Sequence, residues 1–157
     1  MDSMEQQRHS FNLIFRKRDA IYRQIMQSAE LPEISYQILY SVCEGEKSWT
    51  QTDICRERDY PKQSVNSAIA KLVQRGLVEL VSDKNALKNR KIVRLTQQGE
   101  TFCDRWVRPV VDADKKAFAS LSAEERELYV SFMERERQIV EDSLKELLDT
   151  SSEGSNE

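Results

Sequence analysis

Glycine and proline are scarce, four and three in a chain of 157 residues. An all-β sandwich or barrel needs far more turn residues, so that class is set aside at the outset. Histidine occurs once, at His9, which leaves a zinc site short of ligands and no metal expected. The three cysteines, Cys43, Cys55 and Cys103, are odd in number, widely spaced and form no CxxC. Reduced, partly buried thiols are the expected state. No apolar run approaches the ~20 residues of a membrane span. Met1 to Ser10 is polar, without the apolar stretch of a signal peptide, so the cytoplasm is the expected location. No nucleophile stands paired with a histidine, and neither a glycine-rich phosphate loop nor an HExxH is present. Neither catalysis nor a cofactor is therefore expected.

Charge is abundant instead, at 32% of residues against 39% hydrophobic. A chain of this size buries roughly 68–70% of its unfolded surface, enough for a core without metal or disulfide. The net charge is −3, yet it is unevenly spread. From Arg56 to Arg94 there are ten basic residues and four acids, a net +6. From Ser122 to Glu157 there are four basic residues and 11 acids, a net −7. A basic middle joined to an acidic end suits a module that faces nucleic acid, carried on one that does not.

Apolar spacings of three and four predict a first helix from about Met4 to Ala29, through Phe11, Ile14, Phe15, Ile21, Tyr22, Ile25 and Met26. Leu31-Pro32 breaks it, and Pro32 suits the first turn of a second helix that carries Ile34, Ile38, Leu39 and Val42 to Gly45. Lys47-Ser48-Trp49 reads as extended. Thr50 and Asp53 have the spacing of a capping box for a short third helix, Gln51 to about Arg58. Pro61 opens a fourth helix with Val65, Ile69, Leu72 and Val73 on one face, ended by Gly76. Leu77–Val81 and Ile92–Leu95 are strand-like and joined by a charged loop, Ser82 to Asn89. Thr96 caps a long helix to about Ala119 that Pro109 should bend. Ser122 and Glu125 open the last helix, striped by Leu128, Phe132, Ile139, Val140, Leu144, Leu147 and Leu148. Thr150 to Glu157 reads as a polar, disordered tail.

The third and fourth helices, separated by a short turn at Asp59-Tyr60, have helix-turn-helix spacing, and the basic hairpin after them is placed as a wing. The fold class expected is mainly α (α+β), a winged helix-turn-helix in the order helix, helix, short helix, helix, strand, wing, strand, and two long helices. On the fourth helix Lys62, Gln63, Ser64, Asn66, Ser67 and Lys71 lie mostly away from its apolar face. Glutamine and asparagine can pair bidentately with adenine edges, while serine and lysine suit phosphates and base acceptors. In the wing the candidates are Lys88, Arg90 and Lys91.

The stretch Pro61–Val78, PKQSVNSAIAKLVQRGLV, resembles the recognition helix and first wing strand of the MarR family of transcription regulators. Val93–Gly99, VRLTQQG, resembles that family's second wing strand and the LTxxG start of its next helix, and Leu121–Glu125, LSAEE, the start of its last helix. The resemblance covers about Met4 to Leu148. The sequence departs from the family at the wing tip, where a short D-x-R is common. Here Asp83 and Arg90 stand seven positions apart, so the wing-arginine role falls to Arg90 by proximity, with Lys88 and Lys91 as alternatives. The resemblance implies a homodimer in which the long N- and C-terminal helices interlock. That gives 1–32 as an N-terminal dimerisation helix, 33–96 as the DNA-binding lobe, 97–149 as C-terminal dimerisation helices and 150–157 as tail.

The same resemblance implies double-stranded DNA as partner, a pseudo-palindromic site with half-sites ~34 Å apart, and repression as the commoner outcome. Family members respond to small phenolic or lipophilic ligands, metals or oxidants. A cleft between the reading lobe and the dimer helices is implied, with Phe11, Phe15, Tyr36, Tyr40 and Trp106 as candidate lining of an effector pocket. Peroxide-sensing relatives carry a reactive cysteine in the first helix, and this chain has none there. Cys43 and Cys55 fall on apolar helical patterns and are read as buried structural residues, and Cys103 lies on the long helix after the wing. The alternative function is a winged-helix module that binds protein without specific DNA binding, whose mark would be an apolar or acidic recognition face.

Overall fold

A computed structural model of the chain describes residues 2–45, 47–82 and 90–153. Its elements are α1 (Ser3–Ser28), α2 (Glu33–Glu44), β1 (Trp49–Thr50), α3 (Gln51–Arg58), α4 (Lys62–Gln74), β2 (Val78–Ser82), β3 (Lys91–Leu95), α5 (Gln97–Trp106), α6 (Arg108–Ala119) and α7 (Ala123–Glu153). The fold is mostly helical with one small antiparallel sheet, the winged helix-turn-helix expected. The chain divides into two units, 1–112 and 113–157, so α1 falls in the same unit as the winged helix.

The core of the first unit is drawn from every element around the helix-turn-helix. Ile38 and Leu39 come from α2, Ile54 from α3, Val65, Ala68, Ile69 and Leu72 from α4, and Val78 and Val93 from the hairpin. Fully burying a side chain of this size contributes about 1.5–3 kcal/mol, so this cluster holds α3 and α4 against one another. On α4 the buried face is completed by Ala68 rather than Val73, which is 42% exposed. At 100° per residue Val73 falls outside the arc shared by Val65, Ile69 and Leu72.

In the sheet the strand order is β1-β3-β2, with Leu80 paired to Val93 and Ser82 to Lys91 at the tip end. Trp49 pairs with Val93 on the other edge of β3, so the extended piece before α3 becomes a third strand. Gly76, at φ 68, makes the left-handed turn that releases α4 into β2. Residues 83–89, which include Asp83, Lys84 and Lys88, lie outside the described residues.

The long helix expected over Thr96 to Ala119 is two helices. Pro109 has no N–H to donate and its ring collides with the carbonyl four residues back, so α5 ends at Trp106 and α6 restarts with Pro109 in its first turn, where the missing donor costs nothing. Val110 N–H turns to the Val107 carbonyl (3.0 Å), which frees the carbonyl of Trp106. The Tyr36 hydroxyl donates to that oxygen at 2.7 Å, tying α2 to the break.

In the second unit α7 opens on the predicted capping box. Ser122 N–H donates to Glu125 Oε2 (2.7 Å) and Glu125 N–H to Ser122 Oγ (3.2 Å). Helical backbone continues past Thr150 to Glu153, beyond the start of the tail read from composition, and 154–157 lie outside the described residues. Leu128, Phe132, Ile139, Val140, Leu144 and Leu147 are all exposed along α7. Among the described residues no helix is long and apolar enough to cross a membrane.

Candidate nucleic-acid interface

Helix α3 is fixed at its start by a complete capping box. The Asp53 backbone N–H donates to Thr50 Oγ1 at 3.2 Å, while Thr50 N–H and hydroxyl donate to Asp53 Oδ2 at 3.1 and 2.6 Å. The Thr50 hydroxyl is the main reason the Asp53 carboxyl is held below its ordinary 3.8. Burial opposes it, and the Thr50 N–H, Arg90 and Lys47 add to the lowering. We expect Asp53→Asn to cost about 1 kcal/mol near neutral pH. Because the folded-state value is depressed, the carboxylate's contribution is full above the ordinary value and is lost as pH falls through the folded one. The gap between wild type and Asp53→Asn in urea unfolding should therefore hold above about pH 4 and narrow as pH falls from there through the folded value. A gap that stays constant through that fall would mean the carboxylate charge adds nothing.

At its other end α3 stops at Asp59, in the left-handed conformation (φ 52, ψ 43), with Tyr60 N–H on the Cys55 carbonyl at 3.1 Å. That one residue reverses the chain into Pro61 and α4. Helix α4 contains no acid and ends its buried face on the α2 and α3 side chains of the core. Lys62, Gln63, Asn66, Ser67 and Lys71 are exposed and Ser64 is half-buried. Counting helical turns from Gln63 brings in two residues not singled out from sequence, Ala70 and Gln74. Gln63, Ser67, Ala70 and Gln74 are all exposed and share the face opposite the core.

The basic residues of the segment separate into two sorts. Arg58 Nε donates to Ser41 Oγ (2.7 Å) and Nη1 to Gln37 Oε1 (3.2 Å), clamping α3 to α2. Arg75 Nη1 donates to the Glu30 carbonyl at 2.8 Å, Arg94 pairs with Glu79 across the hairpin, and Arg56 pairs with Asp53. Arg58 and Arg75 tie elements of the fold together, while Arg56 and Arg94 hold exposed ion pairs. Among the described residues Lys62, Lys71 and Lys91 pair with no acid and stay exposed. Arg90 is intermediate: its guanidinium is exposed at the tip end of the paired wing strands, 3.9 Å from Asp53 Oδ2. The wing arginine is thereby leaned against the start of α3, a link no motif announced.

The aromatic candidates form separate groups. Phe11 and Phe15 are exposed on α1 and stack at 6.3 Å. Tyr36 is buried and bonded to the Trp106 backbone, and Tyr40 lies under the Arg58 guanidinium at 5.2 Å. His9 is exposed on α1, and among the described residues no group of three histidine, cysteine or acidic side chains could hold a metal.

Two helices joined by a left-handed turn, followed by an antiparallel hairpin, define a winged helix-turn-helix protein. Residues 30–86 match the MarR family model. The fold of the chain is that of MarR-family regulators. It is similar to NMB1585, a MarR family regulator from Neisseria meningitidis, at 21% identity and a TM-score of 0.63, over 93% of this chain and 99% of that one. It is also similar to MepR of Staphylococcus aureus in a complex with DNA, at 17% identity and a TM-score of 0.65, over 88% and 99%. A third is Bordetella bronchiseptica BpsR, whose DNA binding is regulated by 6-hydroxynicotinic acid, at 18% identity and a TM-score of 0.56, over 87% and 96%. No curated protein is similar in sequence.

Proposed function

We propose that the chain is a sequence-specific DNA-binding transcription regulator, a repressor that reads a pseudo-palindromic operator as a homodimer. The observation that carries this is the outer face of α4: exposed Gln63, Asn66 and Ser67, no acid, and lysines that pair with no acid among the described residues. Such a helix can enter a major groove without like-charge repulsion and present amides to base edges. Lys62, Lys71, Arg90, Lys91 and, from outside the described residues, Lys88 are assigned to phosphates, with Ser64 at the edge of the helix face. An apolar or acidic face, the mark of a protein-binding module, is missing from α4 as described.

Dimer formation is supported by surplus apolar surface. Helix α1 buries no residue, leaving Phe11, Ile14, Phe15 and Ile21 exposed, and α7 exposes its own stripe. A small lipophilic or phenolic effector would meet Phe11 and Phe15 before Tyr36, whose ring is enclosed and whose hydroxyl is engaged. The fold relatives bound to DNA and regulated by a small acid support the reading by analogy.

Gln63→Ala and Asn66→Ala should each relax preference at particular base pairs, by about 1–3 kcal/mol of discrimination, while leaving the salt dependence unchanged. The check is binding to a panel of single-base operator variants. Wild-type preferences retained in both mutants would remove these two residues from base readout.

A further inference from the structure

Arg90 stands one position outside the wing ladder, whose tip pair is Ser82 with Lys91. Strand pairing therefore leaves its side chain to be aimed by something else. On the other edge of β3, Thr50 pairs with Ile92, two residues from Arg90. That register lays the start of α3 beside β3 and brings Asp53 Oδ2 to 3.9 Å from Arg90 Nη2. The other acid of α3, Glu57, is taken by Lys47 at 2.6 Å, so Asp53 is the carboxylate of α3 that meets the wing.

Asp53 can hold an arginine without consuming it. Its side chain is only 14% exposed, so its charge is screened less than that of a surface acid. Oδ2 already accepts from the Thr50 N–H and hydroxyl at 3.1 and 2.6 Å, and Oδ1 from Arg56 Nη2 at 3.2 Å. Those bonds fix the carboxylate in place. At 3.9 Å Arg90 is attracted but lies beyond hydrogen-bond reach. Its guanidinium N–H groups are left for an anion, and their planar fork matches a phosphate.

We propose that Asp53 is the positioning residue of the wing arginine, holding the Arg90 guanidinium where a DNA phosphate meets it and joining the wing to the start of α3 as one surface. This rests on the DNA-binding reading. A side chain ordered before the duplex arrives loses less entropy on binding. An acid beside a polyanion ordinarily repels it. The sign of the effect therefore separates two roles: losing the charge tightens binding if Asp53 only repels, and weakens it if Asp53 positions Arg90.

The test measures binding of the full-length protein to a mixed-sequence duplex across salt. It compares wild type with Asp53→Asn, Arg90→Ala and the double variant, each confirmed folded by circular dichroism. Arg90→Ala should weaken binding about five-fold and flatten the slope of log K against log salt by about 0.9, one phosphate contact. Asp53→Asn should also weaken binding and flatten the slope, although it removes a negative charge. In the Arg90→Ala background the same substitution should change neither quantity, because its effect runs through Arg90. Unchanged or tighter binding in Asp53→Asn, or an equal loss with Arg90 already gone, would overturn the proposal and leave DNA binding standing. A wild-type protein that holds no duplex at any salt would remove the DNA-binding reading, and this proposal with it.

Discussion

Gly99→Ala should lower stability by roughly 3 kcal/mol, an overpacking cost taken at the upper end because the obstacle is backbone. For a chain of this size that is a fall of about 10 °C in Tm. A Cβ at position 99 would lie 1.9 Å from the Leu77 carbonyl oxygen and 2.9 Å from its carbon. That peptide is pinned from several sides. Its carbonyl accepts from Thr96 N–H at 3.1 Å, its N–H donates to the Leu72 carbonyl at 3.0 Å, and the Leu77 side chain is buried. Gly99 N–H in turn bonds Thr96 Oγ1, closing the start of α5 over the foot of the wing. The helix propensity gained by alanine, about 1 kcal/mol, does not offset a contact that close. Gly45→Ala is the control: the nearest atom to its Cβ is 3.9 Å away, and its backbone is extended. It should change Tm little, and thermal melts of the two variants side by side decide the matter. Equal melts would mean that α5 can slide away from Leu77, and the wing base is less tightly built than its hydrogen bonds imply.

Lys62→Ala combined with Lys71→Ala should weaken binding to any duplex by on the order of 50-fold at ~0.1 M salt. The slope of log K against log salt should flatten by about 1.8, two phosphate contacts at 0.9 each. Both side chains are exposed and, among the described residues, without an ion pair, so their removal leaves no buried acid behind. Stability should hold, which separates this variant from one at Arg58, whose guanidinium ties α3 to α2. Titrating binding across salt for wild type and the double variant gives both quantities. Parallel slopes would mean that neither lysine reaches a phosphate.

Local rules made much of this fold legible in the sequence. Thr50-Asp53 and Ser122-Glu125 stand three apart, a spacing that has one structural use at a helix start, and both close as capping boxes. Most of the polar face of α4 was readable too, because Val65, Ile69 and Leu72 fix which side is buried, although Val73 was placed with them and is exposed. What escaped depended on partners distant in sequence. Pro109 announces a disturbance, but that Tyr36 would cap the freed Trp106 carbonyl depends on tertiary packing. Equally, charge counting put ten cations in one pool. Only the fold separates Arg56, Arg58, Arg75 and Arg94, which are bonded internally, from Lys62, Lys71 and Lys91.

The central claim, that α4 reads sequence in a twofold dimer, is tested most directly by selecting duplexes from a random library with the purified, reduced full-length protein. The account predicts enrichment of an imperfect palindrome whose half-sites are about one helical turn, ~34 Å, apart, with the preference lost at defined positions in Gln63→Ala. No enrichment, or a half-site without a symmetric mate, would contradict it.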